Sequence, residues 1–268
     1  MRVIDSKNIR PAAVAGRFYP ADPVALRKVI TGLLENVPTA SGPAPKALIV
    51  PHAGYPYSGP IAASGYAQFV PERDVIKRVV LIGPAHYVEL NGLAVSSADF
   101  FATPLGLVPV DADALRELSS LPQVRVFDEA HAVEHSLEVH LPFLQVILAE
   151  FSVVPLAAGE TTPEAIREVL EVLWGGPETR FVISSDLSHY HDAETARCVD
   201  EVTAKAIEAL APEDIGDDQA CGRLAIRGLL QAARAHGLRA RAVDLRNSGD
   251  TAGPRDRVVG YGAFAFGS

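Results

Sequence analysis

The sequence predicts a single α/β domain with a mixed central sheet flanked by helices, and three observations carry that prediction. Short runs rich in Val, Ile and Leu recur through the chain without polar alternation, as strands covered on both faces do. Amphipathic stretches of helical length separate them. At 268 residues, 48% hydrophobic and 21% charged, the composition is that of an ordinary globular chain, which excludes a disordered tail, a collagen-like repeat and a disulfide-stapled miniprotein. No linker, internal repeat or low-complexity segment divides the sequence, so one domain over 1–268 is expected.

The elements follow in order. Asp22-Pro23 opens the first helix, ALRKVITGLLENV, with a capping carboxylate ahead of a proline at the first helical position. Strand runs stand at KALIV (46–50), RVVLIG (78–83), FSVVPLA (151–157) and RFVISS (180–185). Helices are predicted between them over 60–69, 111–119, 136–149 and 163–174. Pro142 resists a helix interior, so the helix over 136–149 is expected to begin near Ser136. Two further helices, near 193–210 and 219–235, precede RARAVDLRN and RVVGYGAFAF, read as two closing strands.

Charge and cysteine usage narrow the function. Lys and Arg number 24 against 33 Asp and Glu, and no basic cluster occurs, which argues against a nucleic-acid partner. No apolar run approaches the ~18 residues that span a bilayer, and the N-terminal MRVIDSKNIRPAAV lacks the apolar centre of a leader. A cytoplasmic protein with no membrane partner is expected. Cys198 and Cys221 form no CxxC pair and read as small buried hydrophobes, which leaves metal chemistry to nitrogen and oxygen ligands.

The eight histidines are more informative. His52 follows KALIVP, His86 follows VVLIGPA, and His189 and His191 follow RFVISSDLS. Loops at the carboxyl ends of strands in an open α/β sheet gather into one crevice, so these loops predict a site there. Gly54 and Pro56, flanking Tyr55, let the backbone turn sharply and approach a ligand. Asp186, three residues before His189, has two readings: a carboxylate that orients the imidazole, or a helix N-cap. The segment HAVEHSLEVHLPFL carries His131, Glu134, His135, Glu138 and His140. Ala132 stands where the HExxH zinc-protease pattern needs glutamate, which removes that reading. His135 is expected to face the crevice, with Glu138 or His140 supporting the pocket; a solvated helix face is the alternative.

RPAAVAGRFYPAD, PHAGYPYSG, GPAHY, EHSLEVHLPFL, SSDLSHYH, CGR and NSGD, in that order from about residue 10 onward, together resemble the Memo family. Its prokaryotic members are called AmmeMemoRadiSam system protein B. The family is similar in fold to the class III extradiol dioxygenases of the LigB type, which hold non-haem iron. The resemblance implies a divalent metal, Fe(II) first and Mn(II), Zn(II) or copper after it, held by His52 and His86. It implies His189 as the acid/base histidine, oriented by Asp186, with His135 contacting substrate or oxygen. Phe18, where animal members carry tryptophan, is expected to line the substrate pocket with Tyr55, Glu138 and His140. The cysteine that gives the animal members a third ligand aligns with Thr251. The adjacent Asp250 is expected to replace it and complete a two-histidine, one-carboxylate face; a turn role after Gly249 is its alternative. Three functions follow: a non-haem metal oxidoreductase acting on an unknown small substrate, a non-catalytic adaptor taking a peptide in the same crevice, or a metal-dependent hydrolase. The prokaryotic name also implies radical-SAM and AMMECR-type partners.

Overall fold

Four strands with almost no polar residues in their interiors form the centre of the sheet: β1 (Ala47–Val50), β2 (Arg78–Pro84), β5 (Ser152–Ala158) and β6 (Thr179–Ser184). All four run parallel, as neighbours in the order β1, β6, β2, β5. Short strands β3 (Leu93–Val95) and β4 (Val124–Val126) extend the sheet beyond β5. On the other side β9 (Val258–Gly267) pairs antiparallel with β1 and also carries β7 (His189–His191) and β8 (Arg239–Asn247). The result is a nine-stranded mixed sheet. The computed structural model describes residues 8–38 and 40–268, so the first seven residues of the stretch read above as lacking a leader lie outside the described residues.

Helices cover both faces, which is why the central strands read as unbroken apolar runs. On one face α1 (Pro23–Glu35), α2 (Tyr55–Tyr66) and α4 (Leu141–Ile147) bury Leu26, Ile30, Ala63 and Leu144 against Leu48, Val50, Val79 and Leu81. On the other, α3 (Ala112–Leu118), α5 (Pro163–Val172), α6 (Ala193–Glu208) and α7 (Arg223–Ala235) pack Leu118, Ile166, Ile207 and Leu229 on Ile49, Val80, Ile82 and Phe181. Alternate residues of one strand thus serve opposite cores. Among the described residues no helix is long and apolar enough to cross a membrane.

Helix starts follow their capping residues. Asp22 accepts from the Ala25 N–H at 2.8 Å ahead of Pro23, and Asp111 accepts from Ala114 at 3.0 Å. Asp192 accepts from Glu194 and Thr195 at 3.1 and 3.0 Å and caps α6, so the helix-cap reading of Asp186 falls away. Three expectations need correction. Helix α2 begins at Tyr55, five residues ahead of position 60, with Pro56 in its first turn. The helix over 136–149 is a 3-10 turn at Glu138–His140 followed by α4, because Pro142 has no N–H to give and fits only a first turn. Strands β3 and β4, and a three-stranded sheet of Ile9–Arg10, Phe100–Thr103 and Gly106–Pro109, were not predicted. Each has two to four residues, too few to show a period.

Candidate metal centre

Because β1, β2 and β6 are parallel, their following loops leave the sheet at one edge. Those loops carry His52, His86 and the Asp186–His189 stretch, and the irregular segment before α4 brings His135 to them. One ligand atom from each of His52, His86 and His135 lies within 4.8 Å of the others. Ring centroids are 5.2 Å apart for His52 and His86, 5.4 Å for His52 and His135, and 4.7 Å for His86 and His135. His52 is buried, His135 half-buried and His86 open to solvent.

Hydrogen bonding fixes how the rings present themselves. The Ser184 hydroxyl has one proton and gives it to the Ser136 carbonyl at 2.6 Å. Both imidazoles at its oxygen must therefore donate: His52 through Nδ1 at 2.6 Å and His140 through Nε2 at 2.8 Å. Glu134 holds the His86 ring, and the backbone of His86 and His135, in a similar way. Its carboxylate accepts the backbone N–H groups of His86, His135 and Ser136 at 2.6, 2.9 and 2.8 Å. It also lies 2.9 Å from His86 Nδ1 and 3.2 Å from His135 Nδ1. Burial raises the pKa of Glu134, but the bonds from His135 and His86 outweigh it and hold the carboxyl well below its usual range. An ionised carboxylate only accepts, so the His86 proton sits on Nδ1. Burial, with His86 and His135 as neighbours, keeps His52 neutral by holding its pKa well below 6.5. His52 and His86 are thus each held at Nδ1 by an oxygen, as metal-binding histidines are held, while His135 Nδ1 lies near both Glu134 and the Tyr87 hydroxyl, 3.3 Å away.

The donor set fits a divalent cation, for which imidazole is a common ligand. A sulfur adjoins it: Cys221 Sγ is 3.4 Å from His52 Nε2. Burial and the nearby Asp186 push that thiol up to about 12, and a cation at the histidines would favour its thiolate. Cys221 was read in the sequence as a buried hydrophobe; its position in the CGR segment opening α7 was the available signal.

The other predicted residues divide into two groups. Asp186 is buried beside the cluster, accepting the His52 N–H at 2.8 Å, with its other oxygen 4.0 Å from His52 Nε2. His189 is half-buried, and its charge weighs on His52, Asp186 and Asp200. The Phe18 ring stands 4.7 Å from His135. The rest lie away from the crevice. The Tyr55 hydroxyl is buried, donating to the Val139 carbonyl at 2.7 Å. Glu138 is fully buried, paired with Arg10, bonded to the Tyr19 hydroxyl, and accepting from Ala13 and Val14 at 2.8 and 3.0 Å. His140 is buried on Ser184. Glu138 and His140 thus support the pocket through hydrogen bonds, one of the two roles expected of them, whereas the substrate-contact role expected of all three is corrected, because their polar atoms are already engaged. Asp250 is also corrected. It accepts the Asn247 N–H at 3.1 Å in a capping box, lies 3.7 Å from Arg197, and stands outside the histidine group. The neighbouring Thr251 hydroxyl donates to the Ser248 carbonyl at 3.1 Å. A cavity of about 660 Å³ opens beside the cluster, walled by His86, Cys221, Glu89, Arg125, Glu160 and Arg223 among others.

Fold and site together define an α/β protein in which two strand-end histidines and a third from the segment before α4 form a cluster suited to a divalent metal. The chain belongs to the Memo family: the family model described as Memo-like protein matches residues 10–265. MEMO1 family proteins of Aquifex aeolicus and Aeropyrum pernix are 36% and 38% identical to it, over 96% and 95% of this chain and 99% and 98% of their own. A MEMO1 family protein of Sulfolobus acidocaldarius is 35% identical over 97% of this chain and 99% of its own.

Proposed function

We propose that this protein is a non-haem metal oxidoreductase, related to the extradiol dioxygenases, that holds Fe(II) on His52, His86 and His135 and acts on a small substrate in the adjoining cavity. The observation that carries the metal reading is the convergence of three imidazoles, two of them held at Nδ1 by Ser184 and Glu134. Asp250 stands outside the histidine group and supplies no carboxylate ligand. Three imidazoles beside a thiol suit iron, zinc and copper better than manganese. When bound, the metal supplies Lewis-acid and redox chemistry.

The chain supplies the rest. His189 takes up or returns a proton at its imidazole, with Asp186 and Asp200 setting the charge around it. Phe18 gives the site an apolar wall over His135. The cavity of about 660 Å³ matches a small molecule. The test is metal content per chain after anaerobic purification, followed by oxygen uptake with a panel of small phenols and catechols. Near-stoichiometric iron, lost in His52→Ala and His86→Ala, supports the reading. A metal-free parent that binds no added Fe(II), Zn(II) or Cu(I) overturns it. A loaded protein that takes up no oxygen with any of the panel keeps the metal site and removes the dioxygenase chemistry.

A further inference from the structure

A second cavity, of about 690 Å³, lies at the opposite edge of the sheet, where β1 and β6 begin. The charged side chains in its wall are Lys46, Arg180, Arg239 and Arg241, with His236 beside them, and no Asp or Glu side chain joins them. In a chain of formal charge −9 this is a local reversal of sign. Arg239 and Arg241 alternate with Ala240 along β8, so the period of two puts both on one face. Both are exposed; Arg241 shares one nitrogen with Gln68, and Arg239 has no ion-pair partner among the described residues.

Arg180 is the least satisfied of the set. It is 4% exposed, and its Nε is buried with no hydrogen-bond partner. Its remaining nitrogens donate to the Pro177 and Thr179 carbonyls at 2.7 and 3.1 Å and pair with Glu72. Lys46 is anchored by the carbonyls of Trp174, Gly176 and Thr179. Burial first, and then the charge of Arg180, push its pKa down to about 8, with Glu178 opposing them. Two nearby acids pair with side chains of the cleft, Glu72 with Arg180 and Glu171 with His236, and Glu178 accepts the Gly176 N–H and the Thr179 hydroxyl, so the cations without an ion pair among the described residues are Lys46, Arg239 and Arg241. Ser268 also lines the cleft and makes no ion pair with these side chains among the described residues.

We infer that this cleft is a binding site for a phosphate-bearing small molecule, separate from the histidine site. A buried, unpartnered N–H costs free energy that a ligand oxygen recovers. Guanidinium forks meet phosphate oxygens two at a time. Several cations with no lining Asp or Glu match an anion of two or more charges better than a single carboxylate. The flat indole of Trp174, stacked on His236 at 3.7 Å, forms part of the wall.

Trp174 is the sole tryptophan, so its fluorescence reports on this cleft alone. The full chain is titrated with inorganic pyrophosphate at constant ionic strength, with acetate and citrate as parallel arms. A saturable fluorescence change is expected, with pyrophosphate at least tenfold tighter than either carboxylate. The double variant Arg239→Ser, Arg241→Ser, altered at two exposed positions, should weaken it tenfold or more with an unchanged circular dichroism spectrum and metal content. Arg180→Gln, checked for folding in the same way, should weaken it further. No saturable change, equal binding by the double variant, or citrate binding as tightly as pyrophosphate would each overturn the assignment.

Discussion

At the carboxyl edge of the central sheet a single buried carboxylate, Glu134, organises two rings, and the titratable groups around it are held neutral or paired. At the amino edge four cationic side chains share a cleft whose lining holds no Asp or Glu, with Glu72 paired to Arg180 alone among them. The same strands build both edges, so backbone geometry does not explain the difference. What differs is the state in which the polar atoms are left. Lone pairs that converge without protons await a cation, whereas N–H groups left without acceptors await an anion.

The comparison breaks most readily at the histidines. His52→Ala and His86→Ala should each weaken metal binding at least 100-fold in a chelator competition, while Arg239→Ser, Arg241→Ser leaves it unchanged. Equal loss in both sets would mean that the two edges are not independent. Metal added at one hundred times its dissociation constant should raise the unfolding free energy by about 2.7 kcal/mol, read from denaturant midpoints. His52→Ala should lose that gain. Glu134→Gln sharpens the contrast by keeping the shape and removing the charge. It should cost about 10–100-fold in metal affinity, the usual effect of removing an outer-layer partner.

Acid should act on the folded state through the buried imidazoles. Burial pushes His131 from 6.5 down to about 4, so between those values the unfolded chain binds more protons and stability falls as pH falls. His52 and His140, depressed by burial, act with the same sign. Asp200, raised from 3.8 to about 6 by burial, opposes them, because its folded form binds the extra proton across that window. Denaturant unfolding at pH 7 and pH 4 should therefore show a net loss that His131→Gln reduces by up to about 3 kcal/mol and Asp200→Asn deepens. A flat profile would mean that these imidazoles are protonated at no cost. The smallest effect is reserved for Asp250→Ala and Thr251→Ala, each expected to change metal affinity less than twofold. A large loss in Asp250→Ala would return that carboxylate to the ligand set.

Asp22, Asp111 and Pro163 announce their helices because a cap or a first-turn proline acts over three or four residues. The four central strands are legible for a similar reason, since burial on both faces demands apolar residues throughout. His52 and His86 were found because each directly follows such a strand. The errors have one origin. Asp250 was chosen for standing next to the position aligned with a cysteine, yet neighbours in sequence on a 3-10 turn face their own backbone. Tyr55, Glu138 and His140 are expected as substrate contacts, whereas burial sets them beneath the pocket, Glu138 and His140 in the supporting role also expected of them.

The sequence by itself determined the α/β class, the order of the main strands and helices, and the presence of histidines at strand ends. All of these are written in local periodicity and in residues that act on their own backbone. Only the tertiary structure decided that His135 joins His52 and His86, that Ser184 and Glu134 set the Nδ1 protons of His52 and His86, and that Cys221 rather than Asp250 stands beside them. It also gathered Lys46, Arg180, Arg239 and Arg241, which no stretch of sequence shows as a basic cluster. A ligand set is a matter of directions between side chains from distant segments, and those directions are fixed by strand order and packing, on which local sequence carries no information.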